Sequence, residues 1–100
     1  MDPEIRLACA ALNRPSLTSR KFRALFGLHP DTVSDLRARI SVEMKAERVP
    51  YRALFWFLHW VRCYPSDDVA SAIWSVDPKT YRKHRHTVLF AIHRDLGDVR

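Results

Sequence analysis

Apolar residues recur at intervals of three and four along most of the chain, and the interruptions fall at prolines, glycines and short polar clusters. That period is helical. Asp2-Pro3 reads as an N-cap and first-turn proline. Ile5, Leu7, Ala8, Ala11 and Leu12 then carry a first helix ending near Asn13-Arg14-Pro15. Thr18 or Ser19 opens a short second helix with Phe22, Leu25 and Phe26 on one face and Gly27 as its stop. Pro30 starts a third, whose buried face is Val33, Leu36, Ile40 and Met44. Arg37, Arg39, Glu43, Lys45, Glu47 and Arg48 are mixed in sign and read as a solvated end running into a linker. Ser66 or Asp67 opens a fifth helix with Val69, Ala70, Ile73 and Trp74 inward. Asp67 and Asp68 there sit at the positive end of the helix dipole. After a tight turn at Ser75-Val76, Asp77-Pro78 opens a last helix that runs to about Leu96 and stops at Gly97. Its apolar face is Tyr81, Val88, Leu89 or Ala91, and Ile92.

One stretch departs from this amphipathic pattern. From Tyr51 to Tyr64, every residue but Arg52, His59 and Arg62 is apolar or aromatic. No face of such a helix is polar along its length. The stretch is too short to cross a bilayer, which takes about 20 apolar residues. It is long for a strand and has no internal glycine or turn pair. A central helix wrapped by the others is what remains. Pro50 suits its first position, and Pro65 ends it by forcing the preceding residue out of the α region. The expected fold is all-α, one domain over residues 1–100 with five to six helices. Tandem helix-turn-helix-like units, at about 19–46 and 67–96, flank the central helix at 51–64. The 47% hydrophobic content is enough for a core, and two glycines in 100 residues argue against a sandwich or barrel.

The two units are an internal repeat. FGLHPDTV, from Phe26 to Val33, aligns with WSVDPKTY, from Trp74 to Tyr81. In each, an aromatic ends a short helix, a small residue turns the chain, an aliphatic residue plugs the corner, and x-Pro starts a longer helix. That is the layout of a helix-turn-helix. Charge separates the two. The outward positions of the first are His29, Asp31, Ser34, Asp35 and Ala38, and its carboxylates would repel phosphates. Those of the second are Lys79, Arg82, Lys83 and His86, with no acid between Pro78 and Arg94. The first unit therefore reads as a plain helical corner and the second as the DNA-facing one. The net charge of +6 agrees with a polyanionic partner. The candidate DNA-binding residues are Lys79, Thr80, Arg82, Lys83, Arg85 and His86.

LFGLHPDTVSDLRARI followed by ALFWFLHWVRCYPSDDVASAIWSVDPKTYRKHRHTVLFAI resembles the N-terminal region of PIF/Harbinger-like DDE transposases. The resemblance spans Phe22 to Leu96 and rests on the order and spacing of its parts. It implies a module that binds the terminal repeats of a mobile element ahead of a catalytic domain. That catalytic domain has an RNase H-like fold with three metal-binding carboxylates, and no counterpart to it is expected in this chain. Two departures stand out. Ser75 occupies a position that often holds glycine, which predicts a wider turn, and Trp74 is bulkier than the usual phenylalanine.

Other chemistry is weaker. His84 and His86 fall on different helix faces, and His59 with Cys63 at i, i+4 lacks further zinc ligands. His84, near the apolar stripe, reads as a partly buried, hydrogen-bonded histidine, and His86 and His93 as additional phosphate contacts. Asp67-Asp68 reads as a helix start, not a catalytic pair. No enzyme activity, metal or cofactor is expected. Cys9 and Cys63 match no disulfide framework and read as free, mostly buried thiols of a reducing compartment. With no secretory or membrane-spanning stretch, the expected setting is intracellular, and nuclear in a eukaryote. The function expected is a sequence-specific double-stranded DNA-binding module, transposase-like or domesticated from one. The alternative is a protein-interaction or dimerisation module on the same scaffold.

Overall fold

A computed structural model describes residues 2–97, which fold into six α-helices with no strand among them. They are α1 (Pro3–Leu12), α2 (Ser19–Phe26), α3 (Pro30–Ala46), α4 (Arg52–Cys63), α5 (Asp67–Trp74) and α6 (Pro78–Gly97). The all-α architecture is as the sequence predicts, and the stop expected at Gly97 falls at the edge of the described residues. Local chemistry sets the boundaries. The Asp2 carboxylate accepts the Glu4 and Ile5 amides, and the Thr18 hydroxyl accepts the Lys21 amide. The His29 ring accepts the Asp31 amide, and the Ser66 hydroxyl that of Val69. Each satisfies an orphan donor of a first turn.

Helix α4 is the centre. It packs on α1, α2, α5 and α6, and Ala53 through His59 are buried without interruption. Phe55, Leu58 and Trp56 are all within the core. Two details differ from the sequence reading. The helix begins at Arg52, with Pro50 accepting the Ala53 amide in a tighter preceding turn. Its last turn also protrudes: Val61, Arg62, Cys63 and Tyr64 are exposed, so Cys63 is a surface thiol while Cys9 is the buried one. Tyr64 takes the left-handed conformation at φ 49° before Pro65 and closes the helix there.

On α5, Ala70, Ser71 and Trp74 face inward, whereas Val69 and Ile73 are exposed. The helix is only eight residues long, and its narrow contact face accommodates the i, i+4 pair Ala70 and Trp74 with Ser71 between. Arg37 is likewise not a solvated cation. Its Nε donates to the Glu4 carboxylate at 2.7 Å, and its guanidinium lies 5.0 Å from the Phe55 ring centroid. Both partners are largely shielded, with Glu4 at 3% side-chain exposure and Arg37 at 17%.

Candidate nucleic-acid interface

The two repeats adopt the same turn. Gly27 and Ser75 each hold the left-handed conformation, at φ 77° and 54°. Leu28 and Val76 follow and pack partly buried on the core. His29 and Asp77 then cap the next helix from the same place. Three residues separate the helices in both units, so Ser75 does not widen the second turn. The Val76 amide donates to the Ser71 carbonyl, a bond that closes the helix end and holds a non-glycine residue in a conformation disfavoured by sterics.

Helix α6 presents two faces. Tyr81, Val88 and Ala91 are buried. Lys79, Arg82, Lys83 and His86 are exposed on the opposite side, at the spacing of one stripe. The stripe continues through Phe90 and His93, both exposed. The His86 and Phe90 rings meet edge to face with centroids 5.4 Å apart. Phe90 is absent from the sequence-based set. Its place at i+4 from His86 and i+7 from Lys83 is the signal that marks it.

Two of the predicted residues have other work. Thr80 donates its amide and its hydroxyl to the Asp77 carboxylate, at 3.0 and 3.4 Å, and so belongs to the cap. Arg85 is turned inward with 12% side-chain exposure. Its guanidinium lies 4.3 Å from the Trp60 ring centroid and 5.1 Å from that of Tyr81. Its Nη1 donates to Asp67 at 3.3 Å. Arg85 is therefore not part of the exposed stripe. The sequence holds the reason: Arg85 sits four residues after Tyr81 and three before Val88, on the apolar face. Arg94, the last cation of the acid-free stretch, lies 3.7 Å from the Glu43 carboxylate.

Asp67 is the hub of this arrangement. Its second oxygen accepts from Arg82 at 3.2 Å, so one carboxylate at the start of α5 ties two arginines of α6. Arg82 keeps 56% of its side chain exposed and can turn its remaining donors outward. Burial pushes the Tyr81 hydroxyl up from its ordinary pKa, with the neighbouring Arg85 opposing the rise. His84 lies against the Trp56 ring, and burial, aided by the charge of Lys83, lowers its pKa. Among the described residues its Nδ1 has no hydrogen-bond partner, contrary to the expectation of a bonded ring. His84 and His86 point to different sides of α6, one half-buried and one exposed.

In the first unit His29, Asp31, Ser34, Asp35 and Ala38 are all exposed, so its outward face carries the two carboxylates. Among the described residues Lys79 and Lys83 form no ion pair and Arg82 pairs only with Asp67, so three cations in the first turns of α6 can meet phosphate oxygens, and the Arg82 fork can span two acceptors. No protein-family model matches the chain, and no curated protein or solved structure matches it. Among the described residues no helix is long and apolar enough to cross a membrane.

Proposed function

We propose that the chain is a double-stranded DNA-binding module in which α5 and α6 act as a helix-turn-helix. Helix α6 enters the major groove. The observation that carries this reading is the exposed stripe of Lys79, Arg82, Lys83 and His86 directly opposite the buried Tyr81 and Val88. Lys79 and Lys83 neutralise phosphates, and Arg82 reads a guanine edge with two parallel donors. Helix α5 lies across the mouth of the groove, and the exposed hydroxyl of Ser66, its N-cap, meets the backbone. The first unit, with carboxylates outward, braces the second and does not enter a groove. The resemblance to transposase end-binding regions supports the same assignment and suggests a terminal repeat as the target. The module works by binding and carries no catalytic step of its own.

A fluorescence-polarisation titration with a mixed-sequence duplex at two salt concentrations tests the proposal. Phosphate contacts release counterions, so four to six of them give a slope of about −4 to −5 in log K against log salt. Binding that is absent at physiological salt, or indifferent to salt, overturns it.

A further inference from the structure

A second surface lies away from this stripe. Helix α4 separates the two. Trp60 receives Arg85 of α6, whereas Arg62, two positions on, points about 200° around the helix axis toward α2. There the stem of Arg62 lies across Gly27, with its Cδ 3.3 Å from where a Cβ on that glycine would sit. Gly27 thus serves twice: it takes the left-handed turn, and it leaves room for the arginine.

Shallow hollows open on both sides of that crossing. One, of about 430 Å³, is lined by Arg20, Arg23 and Arg62 together with His29. The other, of about 380 Å³, is lined by Leu28, Phe57, Leu58 and Val61. Gly27 and Arg62 line both, so the two hollows adjoin across the Arg62 stem as a groove with a basic half and an apolar half. No carboxylate among the described residues lines either half. Among the described residues, none of the three arginines is within ion-pair distance of an acid. His29 is engaged elsewhere: its Nδ1 accepts the Asp31 amide and caps α3. Val61 remains 45% exposed at the apolar end.

We infer that this groove docks an acidic peptide segment of a partner protein, with large apolar side chains in the Leu28–Val61 hollow and carboxylates on Arg20, Arg23 and Arg62. The charge and the apolar wall select together. A nucleic-acid backbone satisfies the arginines but leaves the apolar wall wet. An uncharged apolar segment leaves three desolvated guanidinium groups without partners. A peptide with both features satisfies both halves, and guanidinium forks pair with carboxylates in bidentate fashion. The inference does not depend on DNA binding by α6, since the groove lies on the other side of α4.

Selection from a random dodecapeptide library displayed on phage, against the whole chain, tests it. The enriched peptides are expected to combine Asp or Glu with Leu, Phe or Trp. One of them, synthesised with a fluorescent label, is expected to lose roughly tenfold or more in affinity on Arg23→Glu and on Val61→Glu. Arg20→Glu, at an exposed position, gives a second reading with little change in packing, and circular dichroism checks that each variant keeps its helices. The inference is overturned if the enriched peptides carry no acidic bias, or if their binding survives these substitutions. It is equally overturned if a DNA duplex displaces the peptide and the same substitutions abolish duplex binding. In that case the groove is a second DNA surface.

Discussion

Phe26 and Trp74 occupy matching places in the two repeats, and they stack on each other with ring centroids 6.2 Å apart. Each also touches the central helix: Phe26 lies 5.0 Å from Phe55, and the Trp74 ring meets His59 edge-on at 5.7 Å. The ends of the two short helices are thus joined through α4, and both aromatics are almost wholly buried. Trp74→Ala is expected to cost about 3–5 kcal/mol by urea unfolding, and Trp74→Phe distinctly less, because it keeps a ring against Phe26. Equal losses for the two variants would mean that the indole edge on His59, not the stack, holds the joint.

The Glu4–Arg37 pair predicts an asymmetry. Arg37 bonds Glu4 on α1, donates to the Tyr51 carbonyl at 2.9 Å before α4, and covers Phe55. Removing one partner leaves the other charge shielded from water and alone. Arg37→Met or Glu4→Leu alone is expected to cost about 3–5 kcal/mol, and the double replacement less than the sum of the two. Chemical denaturation of the three variants checks this. Additive losses would show that the charges do not act as a pair.

That pair also shows where a sequence can be read and where it cannot. Helix starts and stops were legible because their causes are local: Asp2, Thr18, Ser66 and the x-Pro steps each act within three residues. The central helix was legible because Ala53 to His59 has no polar face to expose. Arg37 was not, because its partner is 33 positions away and a mixed-sign stretch looks the same whether solvated or shielded. Arg85 departs from the sequence reading for a different reason. Its charge puts it among the DNA-binding candidates, although its spacing to Tyr81 and Val88 places it on the core side. Basic residues with long stems can follow the apolar face when an aromatic receives them. The groove beside Gly27 was illegible, since it joins residues from α2, the turn after it and α4 that no local pattern links.

Two histidines set a pH response. Burial lowers the pKa of His59, whose Nδ1 has no hydrogen-bond partner among the described residues, and that of His84. Each is neutral in the folded chain where an unfolded histidine, with pKa about 6.5, already binds a proton. Stability is therefore full above about pH 6.5 and falls as pH drops from there toward the lowered folded values. Thermal melts between about pH 8 and pH 5, above the range where ordinary carboxylates titrate, are expected to show this decline. His59→Met is expected to flatten part of it. A decline of unchanged depth in that variant would assign the effect to other groups.

Asp67 makes stability and DNA binding respond in opposite directions. Asp67→Asn removes the charged partner of Arg85 and is expected to lower the melting temperature. The same change removes a carboxylate 3.2 Å from Arg82 and is expected to tighten duplex binding by roughly threefold at low salt. Arg85→Met is expected to lose about 2 kcal/mol of stability through the Trp60 stack and the Asp67 bond, yet leave the salt slope unchanged. Denaturation and polarisation titrations on both variants separate the effects. A reduced salt slope for Arg85→Met would place Arg85 on phosphate after all.

The assignment of α6 as the reading helix makes the strongest demand. Arg82→Ala is expected to cost about 1–3 kcal/mol of binding and to relax base preference, because a bidentate contact to guanine is lost. Lys79→Ala and Lys83→Ala are expected to weaken binding to all sequences alike and to reduce the salt slope by about one unit each. The comparison belongs on α3, but Arg37 cannot serve there, since its loss is expected to destabilise the fold and would mix that effect with any effect on DNA. Arg39 can: its side chain is 62% exposed and stands 3.7 Å from Asp95, at the far end of α6 from the stripe's first turns. Arg39→Ala is expected to change affinity little. Polarisation titrations against a panel of duplexes, with melting temperatures measured alongside, decide between the helices. Should Arg39→Ala abolish binding while Arg82→Ala and Lys83→Ala leave it intact, α3 and not α6 faces the groove, and the acidic positions Asp31 and Asp35 would have to be reconciled with phosphate at close range.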